Sequence, residues 1–457
     1  MNHTSEALTP ASQRRAAGKA ARRALARSAL ANWAPPPGRT DPVELLLATS
    51  RHRIAELLPL RWGRMAASPF TFLRGAAAIM AADLGQGPQT GLKVQACGDC
   101  HLMNFGAVAT AEGNAVFDIN DFDETLPAPF EWDVKRLAAS IAVAAIDAGR
   151  SHVIAVEMAR EAVRAYRRRM LVLAAMTPLE IWHTRVDVDE TLALAIDGKF
   201  RTLVRNGAAE ARAPNPVDPN FPHLTESVGG IWRFKDRPPL LRHFDDRRDS
   251  ERDLDVRAAF ASYRRCLQDD RRLLLERYAM TDSAFKVVGI GSVGTFCTLG
   301  LFMTADGAPL ILQIKEAGPS VLAPYAGASA YANQGRRVVA GQRLIQGAID
   351  PLLGWTEDGP GNRHFYVRRL KDRLLASLAE LMERKSLVGY AGLCGRTLAR
   401  AHARSGDAAM IAGYLGRGEA FDDAVAAFAR RYAEQTERDH ARLVAAIKAG
   451  HLPSEAG

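Results

Sequence analysis

The stretch from Cys97 to Asp133 constrains the fold more than any other part of this sequence. It reads CGDCHLMNFG, then a short polar turn, then AVFDINDFDETLPAPFEWD. Carboxylate and amide oxygens at strand ends are the groups that bind a divalent metal and position a phosphate ester. We expect the rest of the chain to supply partners for this cluster. Its polar side chains stand between apolar, strand-like segments and are Asp99, His101, Asn104, Asp118, Asp121 and Asp123.

The positive charge of the chain is concentrated at its N-terminus. The 457 residues carry a formal net charge of +9, and 47% of them are hydrophobic and 24% charged. This composition allows a large core in about two or three domain-sized units. Residues 1–40 hold seven Arg or Lys against the single acid Glu6, which leaves only +3 for the other 417 residues. We therefore expect a flexible basic Ala/Arg-rich tail and no nucleic-acid-binding body.

The sequence indicates a cytoplasmic protein with reduced thiols. No stretch approaches the roughly 18 apolar residues of a membrane span, and the start MNHTSEALTP lacks the apolar core of a secretory signal. Five scattered cysteines argue against a disulfide framework. Cys97 to His101 match the C-x-x-C-H pattern of c-type haem attachment, which requires an exported chain. A zinc or redox role stays open, although no second Cys/His pair lies at ligand spacing.

Apolar periodicity divides the chain into four parts. It predicts a helix over 42–58, short strands at 91–97 and 115–119, and long helices from Glu131 onward, whereas 178–250 is irregular. From about residue 282 three β-rich runs, FKVVGI, TFCTLGLFM and LILQIKEA, predict an antiparallel meander. A helix at 333–346, a strand at 364–370 and helical sequence to the end follow. The predicted parts are the tail 1–40, then 41–281, 282–370 and 371–457.

A glycine-rich turn and a lysine lie within the predicted meander. Gly289, Gly291 and Gly294 form a G-x-G-x-x-G pattern with Ser292 between them, and the sequence continues as a strand rather than a helix. That context favours a hairpin over nucleotide phosphates, and a simple structural turn is the alternative. Lys315 in the third run is placed to pair with ATP phosphates or, alternatively, to be solvated.

The catalytic candidates lie in the opening stretch. Asp99 and Asn104 have the D-x-x-x-x-N spacing in which the Asp accepts a substrate hydroxyl proton and the Asn holds Mg²⁺. A strand then delivers Asp118 and Asp121, either of which fits the second metal ligand. The alternative is that all four are polar loop residues that cap neighbouring turns.

Three arginines precede this stretch, within RWGRMAASPFTFLRG at 61–75. Arg61, Arg64 and Arg74 lie among aromatic residues and a Ser-Pro turn. They either reach an anion or form buttressing ion pairs with the carboxylates of the cluster. The sequence leaves both interpretations open.

These motifs carry a family resemblance. GDCHLMN followed by a carboxylate-bearing strand resembles the aminoglycoside phosphotransferase branch of the kinase-like fold, whose catalytic loop reads H-G-D-x-H-x-x-N. The chain from about residue 40 is similar, more closely, to the bacterial domain-of-unknown-function 2252 family. The stretches that carry this similarity are RWGRMAASPFTFLRG, CGDCHLMNFG, FDINDFDE, VGIGSVGT, QIKEA and LARAHARSGD.

The resemblance implies a two-lobed, protein-kinase-like α+β fold that is circularly permuted. Kinase-like folds place the glycine-rich lobe before the catalytic loop, whereas here the loop comes first by nearly 200 residues. LARAHARSG resembles the helix that phosphotransferases place just before the catalytic loop. We expect 282–370 to form the small lobe, and 371–457 to run through a hinge and helices that complete the large lobe begun by 41–281.

Three departures from the phosphotransferase pattern bear on this expectation. Cys97 replaces the His before Gly-Asp in the loop. No acid occurs from 317 to 349, so the helix after Lys315 lacks the carboxylate that normally pairs with that lysine. Asp118 fits the strand end better, whereas Asp121-Phe122 fits the local D-F pattern better.

The implied function is transfer of a phosphoryl group from ATP with Mg²⁺ to a hydroxyl of an unknown small-molecule or protein acceptor. Transfer of AMP and a catalytically silent nucleotide-binding module are the alternatives, the second because Lys315 lacks an evident acid partner. The roles implied are phosphate binding by Gly289, Gly291, Ser292, Gly294 and Lys315, metal binding by Asn104 with Asp118 or Asp121, and proton acceptance by Asp99.

Overall fold

The computed structural model describes most of the chain and shows a mixed α+β fold. None of the helices in the part described combines the length and the apolar character needed to cross a membrane. The described residues are 9–110, 114–187, 198, 201, 202, 205, 206, 221–243, 256–358, 363–370 and 384–455.

Helices dominate both ends of the described chain. Several begin at side-chain caps: the Asp41 carboxylate accepts from the Val43 amide, and Ser68 and Thr71 form a reciprocal capping box. The helices are α1 (Ala11–Ala20), α2 (Pro42–Ser50), α3 (Leu58–Ala66), α4 (Pro69–Gly75), α5 (Ala77–Gly85), α6 (Phe130–Asp147), α7 (His152–Leu173), α8 (Pro178–His183), α9 (Phe221–Leu224), α10 (Val256–Cys266), α11 (Asp269–Leu275), α12 (Ala323–Ala326), α13 (Gln334–Ile345), α14 (Arg384–Ser405), α15 (Ala408–Leu415) and α16 (Ala420–Lys448).

The strands form one large sheet and three hairpin-sized pairs, all antiparallel. They are β1 (Lys93–Ala96), β2 (Phe105–Ala109), β3 (Ala115–Ile119), β4 (Leu126–Pro129), β5 (Thr225–Val228), β6 (Ile231–Phe234), β7 (Leu241–Arg242), β8 (Ala279–Lys286), β9 (Cys297–Met303), β10 (Pro309–Glu316), β11 (Gly354–Asp358) and β12 (Arg363–Arg369). The large sheet has the order β11-β12-β10-β9-β8-β7, and the pairs are β1-β4, β2-β3 and β5-β6.

The predicted meander forms the centre of the large sheet. Strands β8, β9 and β10 pair in sequence order, and β12 returns to pair with the other edge of β10. In this register Lys315 lies directly opposite Tyr366, so the two side chains share one face of the sheet. The sheet also includes β7, which lies before the predicted boundary at 282.

Helix α6 is the centre of the helical part. Every residue from Phe130 to Ala145 is buried, because α7, α14 and α16 pack around it. Strands β1 and β4 pair beside its N-terminal end, and β2 and β3 form a hairpin next to them. The loop that joins β1 to β2, residues 97–104, therefore rests directly on the most buried helix.

The N-terminal segment differs from the expected flexible tail, because it packs against the C-terminal helices. A Cβ on Gly18 would lie 1.9 Å from the Met410 carbonyl oxygen, so α1 touches α15 backbone to backbone. Arg22 donates to the Tyr414 carbonyl at 2.8 Å and Arg27 to the Leu415 carbonyl at 2.6 Å. These cations satisfy carbonyls at the C-terminal end of α15, where the helix dipole favours positive charge.

Candidate functional site

A cavity of about 200 Å³ opens between the large sheet and the helical part. Its walls come from four regions that are distant in the sequence. These are the segment from Thr49 to Ala78, the β1–β2 loop through Asp99, the segment after β3 through Asp121, Asp123 and Glu124, and the segment from Gly291 to Val321.

The β1–β2 loop is held in place by α6. Asp133 in the first turn of α6 accepts from the Cys97 amide at 2.8 Å and the Gly98 amide at 3.1 Å. Ser140, two turns later, accepts from the Leu102 amide at 2.9 Å. Gly98 has φ +85°, and a Cβ there would lie 2.3 Å from the Glu124 carbonyl oxygen. Only glycine fits this position, so this conformation of the loop that carries Asp99 requires Gly98.

Asp99 presents one carboxylate oxygen to a cation and the other toward the cavity. Its Oδ1 accepts from Arg136 Nε at 2.7 Å, whereas Oδ2 lies 3.9 Å from His101 Nε2. A Cβ built on Gly291 would lie 4.0 Å from Oδ2, so the glycine turn faces this oxygen. Burial raises the pKa of Asp99 against the opposing charge of Arg136. The carboxylate is a better proton acceptor than a solvated one.

Asn104 lies behind Asp99 and is not part of the cavity wall. Its Nδ2 donates to the Asp99 carbonyl oxygen at 2.6 Å, and its own carbonyl accepts from the Asn120 amide at 2.9 Å. The residue therefore joins the loop to the segment after β3. No described donor hydrogen-bonds its side-chain oxygen.

The two predicted metal ligands after β3 have different surroundings. Asp118 is 1% exposed, and its carboxylate contacts Arg400 Nη2 of α14 and accepts from the Gly347 amide at 2.8 Å. Asp121 lines the cavity, and its Oδ1 accepts only from the Asp123 amide, at 3.1 Å, among the described groups. Burial, and then the neighbouring Asp123 carboxylate, raise the pKa of Asp121. Asp118 is thus enclosed in the core, whereas Asp121 is accessible from the cavity.

Lys315 has an acid partner that lies 192 positions away in the sequence. Its ammonium contacts Asp123 Oδ2, which also accepts from Ser292 Oγ at 3.1 Å. The Tyr366 hydroxyl donates to Asp123 Oδ1 at 2.8 Å. Burial alone would raise the pKa of Asp123, but the Lys315 charge and the hydrogen bonds from Lys315 and Tyr366 lower it. The four side chains connect β10 and β12 to the acidic segment at the cavity wall.

The glycine turn, residues 289–294, is fixed by arginines from the N-terminal part of the chain. Arg53 donates to the carbonyls of Val293 at 2.6 Å and Gly291 at 2.9 Å, and Arg61 donates to that of Ile290 at 2.9 Å. Gly294 has φ +86°, which requires glycine. A Cβ on Gly289 would meet no atom within 4 Å, so no steric clash requires glycine at this position.

The structure therefore brings together part of the predicted set. Asp99, Asp121, Gly291 and Ser292 line one cavity. The others stand apart from its wall: Lys315 behind Asp123, Asn104 behind Asp99, Gly289 and Gly294 at the ends of the turn, and Asp118 in the core.

Three cavity acids, Asp123, Glu124 and Glu316, were given no role by the sequence. Asp123 belonged to the initial cluster. It lies two positions after Asp121, and residues at this spacing point to the same side of an extended segment. That spacing was a usable signal. No such sequence signal marks Glu124. Its carboxylate accepts from the Val321 amide at 2.7 Å, and burial raises its pKa to about 7.

The C-x-x-C pattern lies in the core. Cys97 and Cys100 are 1% and 0% exposed, and burial raises the pKa of both thiols, which disfavours a reactive thiolate. Their sulfur atoms and an Asp133 oxygen all lie within 4.8 Å of one another. However, Asp133 already accepts from two loop amides and lies 3.2 Å from His402 Nε2. Cys97, Cys100 and Asp133 are therefore explained by their position where the loop is held on α6.

Comparison with known proteins gives a family without an activity. No curated protein and no solved structure matches the chain. The family described as an uncharacterized protein conserved in bacteria (DUF2252) matches residues 53–446, which confirms the membership expected from the motifs. Because this match covers most of the 457 residues, the chain belongs to that family.

Proposed function

We propose that this protein is an ATP- and Mg²⁺-dependent phosphotransferase that acts on a hydroxyl group, with a circularly permuted kinase-like fold. The observation that carries the proposal is the approach of the glycine turn to Asp99. Gly291 and Asp99 are 192 positions apart, yet a Cβ on Gly291 would lie 4.0 Å from Asp99 Oδ2. A glycine turn that covers phosphates and a carboxylate that accepts a proton must both border the cavity that holds the reacting group.

The chain path supports the permutation. Helix α14 ends at Ser405 beside β1, because Ser405 Oγ accepts from the Gln95 amide at 3.1 Å. A Cβ on Gly406 would lie 2.7 Å from a methyl group of Val94. The end of a C-terminal helix thus meets the strand that leads into the Asp99 loop. Joining these two points would give the chain order of an unpermuted kinase-like fold.

The donor set at the cavity fits Mg²⁺. Asp121, Asp123 and Glu124 supply carboxylate oxygens, which are the hard ligands that this ion prefers. Asp121 is the first candidate ligand because it is accessible and because burial, and then the adjacent Asp123 charge, raise its pKa. The Asn104 side-chain oxygen, which has no described donor, is the second candidate, although Asn104 lies behind Asp99 and outside the cavity wall. A bound Mg²⁺ would neutralise charge that develops on the phosphates.

The residues then have distinct roles in the transfer. The acceptor oxygen forms a bond to the γ-phosphorus while the bond from that phosphorus to the β–γ bridging oxygen breaks, which releases ADP. The proton of the acceptor hydroxyl moves to Asp99 Oδ2, whose raised pKa favours acceptance. Gly291 and Ser292 contact the phosphates, and Lys315 orients Asp123 or exchanges it for a phosphate oxygen.

Transfer of AMP and nucleotide binding without turnover are the competing functions. The second was motivated by the missing acid partner of Lys315, and Asp123 now supplies a partner. The test incubates purified protein with ATP, Mg²⁺ and a mixture of small-molecule hydroxyl acceptors, and identifies the nucleotide product. Formation of ADP that is lost in Asp99→Asn but kept in Asp306→Asn, a change in the exposed β9–β10 turn, would support phosphoryl transfer.

Other outcomes of this assay assign the alternatives. Formation of AMP would indicate nucleotidyl transfer. Tight ATP binding without any product would favour the silent module. Absence of both binding and product would reject the nucleotide site altogether.

A further inference from the structure

Three guanidinium groups form one wall of the cavity without a carboxylate partner. Arg53, Arg61 and Arg74 all line the cavity, and no described carboxylate oxygen lies within 4.0 Å of their nitrogens. Lys315 and Arg136, two neighbouring cations, are paired with Asp123 and Asp99. Arg337 donates to the carbonyls of Thr125, Asp123 and Gly318 and does not line the cavity. The guanidinium groups that line the cavity without a carboxylate partner are therefore those of the arginine wall.

Arg61 shows how costly this arrangement is. The side chain is 2% exposed, its terminal nitrogens donate to the carbonyls of Ile290, Gly291 and Gly75, and its Nε has no described partner. Carbonyl dipoles satisfy hydrogen bonds but do not neutralise a charge. A cation removed from water without a counter-charge is destabilising in proteins. A ligand that brings negative charge would offset that cost.

Arg74 differs from Arg53 and Arg61 because its side chain has no hydrogen-bond partner among the described groups. No described group forms a hydrogen bond with its side chain, and its Nε is buried without a partner. The charges of Asp99 and Asp121 act on it, but both carboxylates lie beyond ion-pair distance. The Arg74 carbonyl lies 3.4 Å from the Cβ position of Gly291, whose other neighbour is Asp99 Oδ2 at 4.0 Å. Arg74 thus stands beside the point where the glycine turn meets Asp99.

We infer that Arg74 binds the phosphoryl group that is transferred, with Arg53 and Arg61 supplying the surrounding positive field. The inference rests on the proposed function and names the anion subsite of the same cavity. A planar guanidinium binds two phosphate oxygens at once, a geometry that an ammonium cannot reproduce. A phosphoryl group between Arg74 and the carboxylates would match the charge of the arginine and bring the reacting phosphorus next to Asp99.

The test uses inorganic tripolyphosphate without Mg²⁺, titrated calorimetrically into the full-length protein. Wild type should bind one tripolyphosphate, Arg74→Gln should bind it at least about tenfold more weakly, and Arg74→Lys should fall between them. Arg51→Gln, which removes the same charge from an exposed residue outside the cavity, should bind as wild type does. Equal affinity of wild type and Arg74→Gln, or no binding by wild type, would overturn the inference.

Thermal unfolding separates a binding role from a structural one. Because Arg74 makes no described side-chain hydrogen bond, Arg74→Gln should melt at or above the temperature of wild type when no anion is present. Tripolyphosphate should raise the melting temperature of wild type and not that of Arg74→Gln. A lower melting temperature for Arg74→Gln without anion would mean that Arg74 is structural, and would contradict the inference.

The outcomes also distinguish this inference from the proposed function. ADP formation that is unchanged in Arg74→Gln would leave the phosphotransferase intact and reject the subsite. Tripolyphosphate binding that depends on Arg74, in a protein that neither binds nor consumes ATP, would retain the anion subsite and reject the transferase.

Discussion

The acidic segment 118–123 has a core side and a cavity side, and the charged groups on the two sides have different partners. On the core side, Asp118 is 1% exposed and is enclosed by Arg400 and backbone amides. On the cavity side, Asp121 has one described donor, and Arg74 lacks a carboxylate within ion-pair distance. Charge on the core side is matched inside the protein. On the cavity side Asp123 and Asp99 are paired with Lys315 and Arg136, whereas Asp121 and Arg74 have no described ion-pair partner. The core pair should govern stability, and the two unpaired cavity groups should govern activity.

The largest effect is expected when the core pair is broken. Arg400→Met leaves the Asp118 carboxylate buried without its cation, which should cost about 3–5 kcal/mol of unfolding free energy. Urea unfolding measures this directly. The double variant with Asp118→Asn should recover part of the loss, because both charges are then removed. A loss below about 1 kcal/mol in Arg400→Met would show that the pair does not stabilise the core.

On the cavity side the largest effect should come from Asp99. Asp99→Asn removes the proton acceptor and should lower kcat for ADP formation by about a hundredfold or more. The affinity for ATP with Mg²⁺ should change by less than about threefold, because the amide keeps the shape of the side chain. Steady-state kinetics and calorimetry give the two values. Full activity in Asp99→Asn would exclude it as the base.

Asp121 provides the matched comparison with Asp118. Asp121→Asn removes one ligand charge and should raise the Mg²⁺ concentration for half-maximal activity by about tenfold or more. Asp269→Asn is the control, since the Asp269 side chain is 86% exposed. The dependence of ADP formation on Mg²⁺ is the measurement. An unchanged Mg²⁺ requirement in Asp121→Asn would remove this residue from the metal site.

Glu124 should make stability depend on pH. Its pKa is raised from 4.5 to about 7 by burial, so the folded protein holds a proton that the unfolded chain releases. Unfolding free energy should therefore fall as pH rises from about 4.5 to 7, and level off above. Glu124→Gln should show a flatter profile, so its advantage over wild type grows across this window. Parallel urea-unfolding profiles would contradict the assigned pKa.

The smallest effect is expected at an exposed ion pair. Arg160 lies 2.7 Å from Asp423 and 2.8 Å from Glu419, whose side chains are 59% and 46% exposed. Arg160→Ala should cost less than about 1 kcal/mol in urea unfolding, because water screens these charges. A loss as large as that of Arg400→Met would contradict the distinction between buried and exposed pairs.

Elements with a strong local pattern were predictable from the sequence. The second and third runs of the meander appear as β9 and β10, whereas the first run, predicted at 285–290, overlaps β8 (Ala279–Lys286) only at Phe285 and Lys286. The helix expected at 333–346 appears as Gln334–Ile345, and the strand expected at 364–370 appears as Arg363–Arg369. Strands β2, β4, β5, β6, β7 and β11 were not predicted, and the sequences of two of them give a physical reason. β2 reads FGAVA, with few β-branched residues, and β4 reads LPAP, whose prolines normally exclude a strand except at an edge.

Long-range partners were not predictable. The choice between Asp118 and Asp121 depends on Arg400, which lies 282 positions from Asp118. The partner of Lys315 was expected in the following helix, whereas Asp123 lies 192 positions earlier in the sequence. The N-terminal segment packs on α15 through backbone contact at Gly18, which no charge pattern reveals. The local sequence shows the periodicity of helices and strands, but it does not show which distant segments pack against one another.

A crystal structure with Mg²⁺ and a non-hydrolysable ATP analogue would show whether the cavity binds the nucleotide and the metal. We expect phosphates beneath Gly291 and next to Arg74, with Mg²⁺ about 2.0–2.1 Å from an Asp121 oxygen. We also expect Asp118 to keep its contact with Arg400. An analogue bound outside this cavity, or a metal held by Asp118 instead of Asp121, would contradict the proposed site.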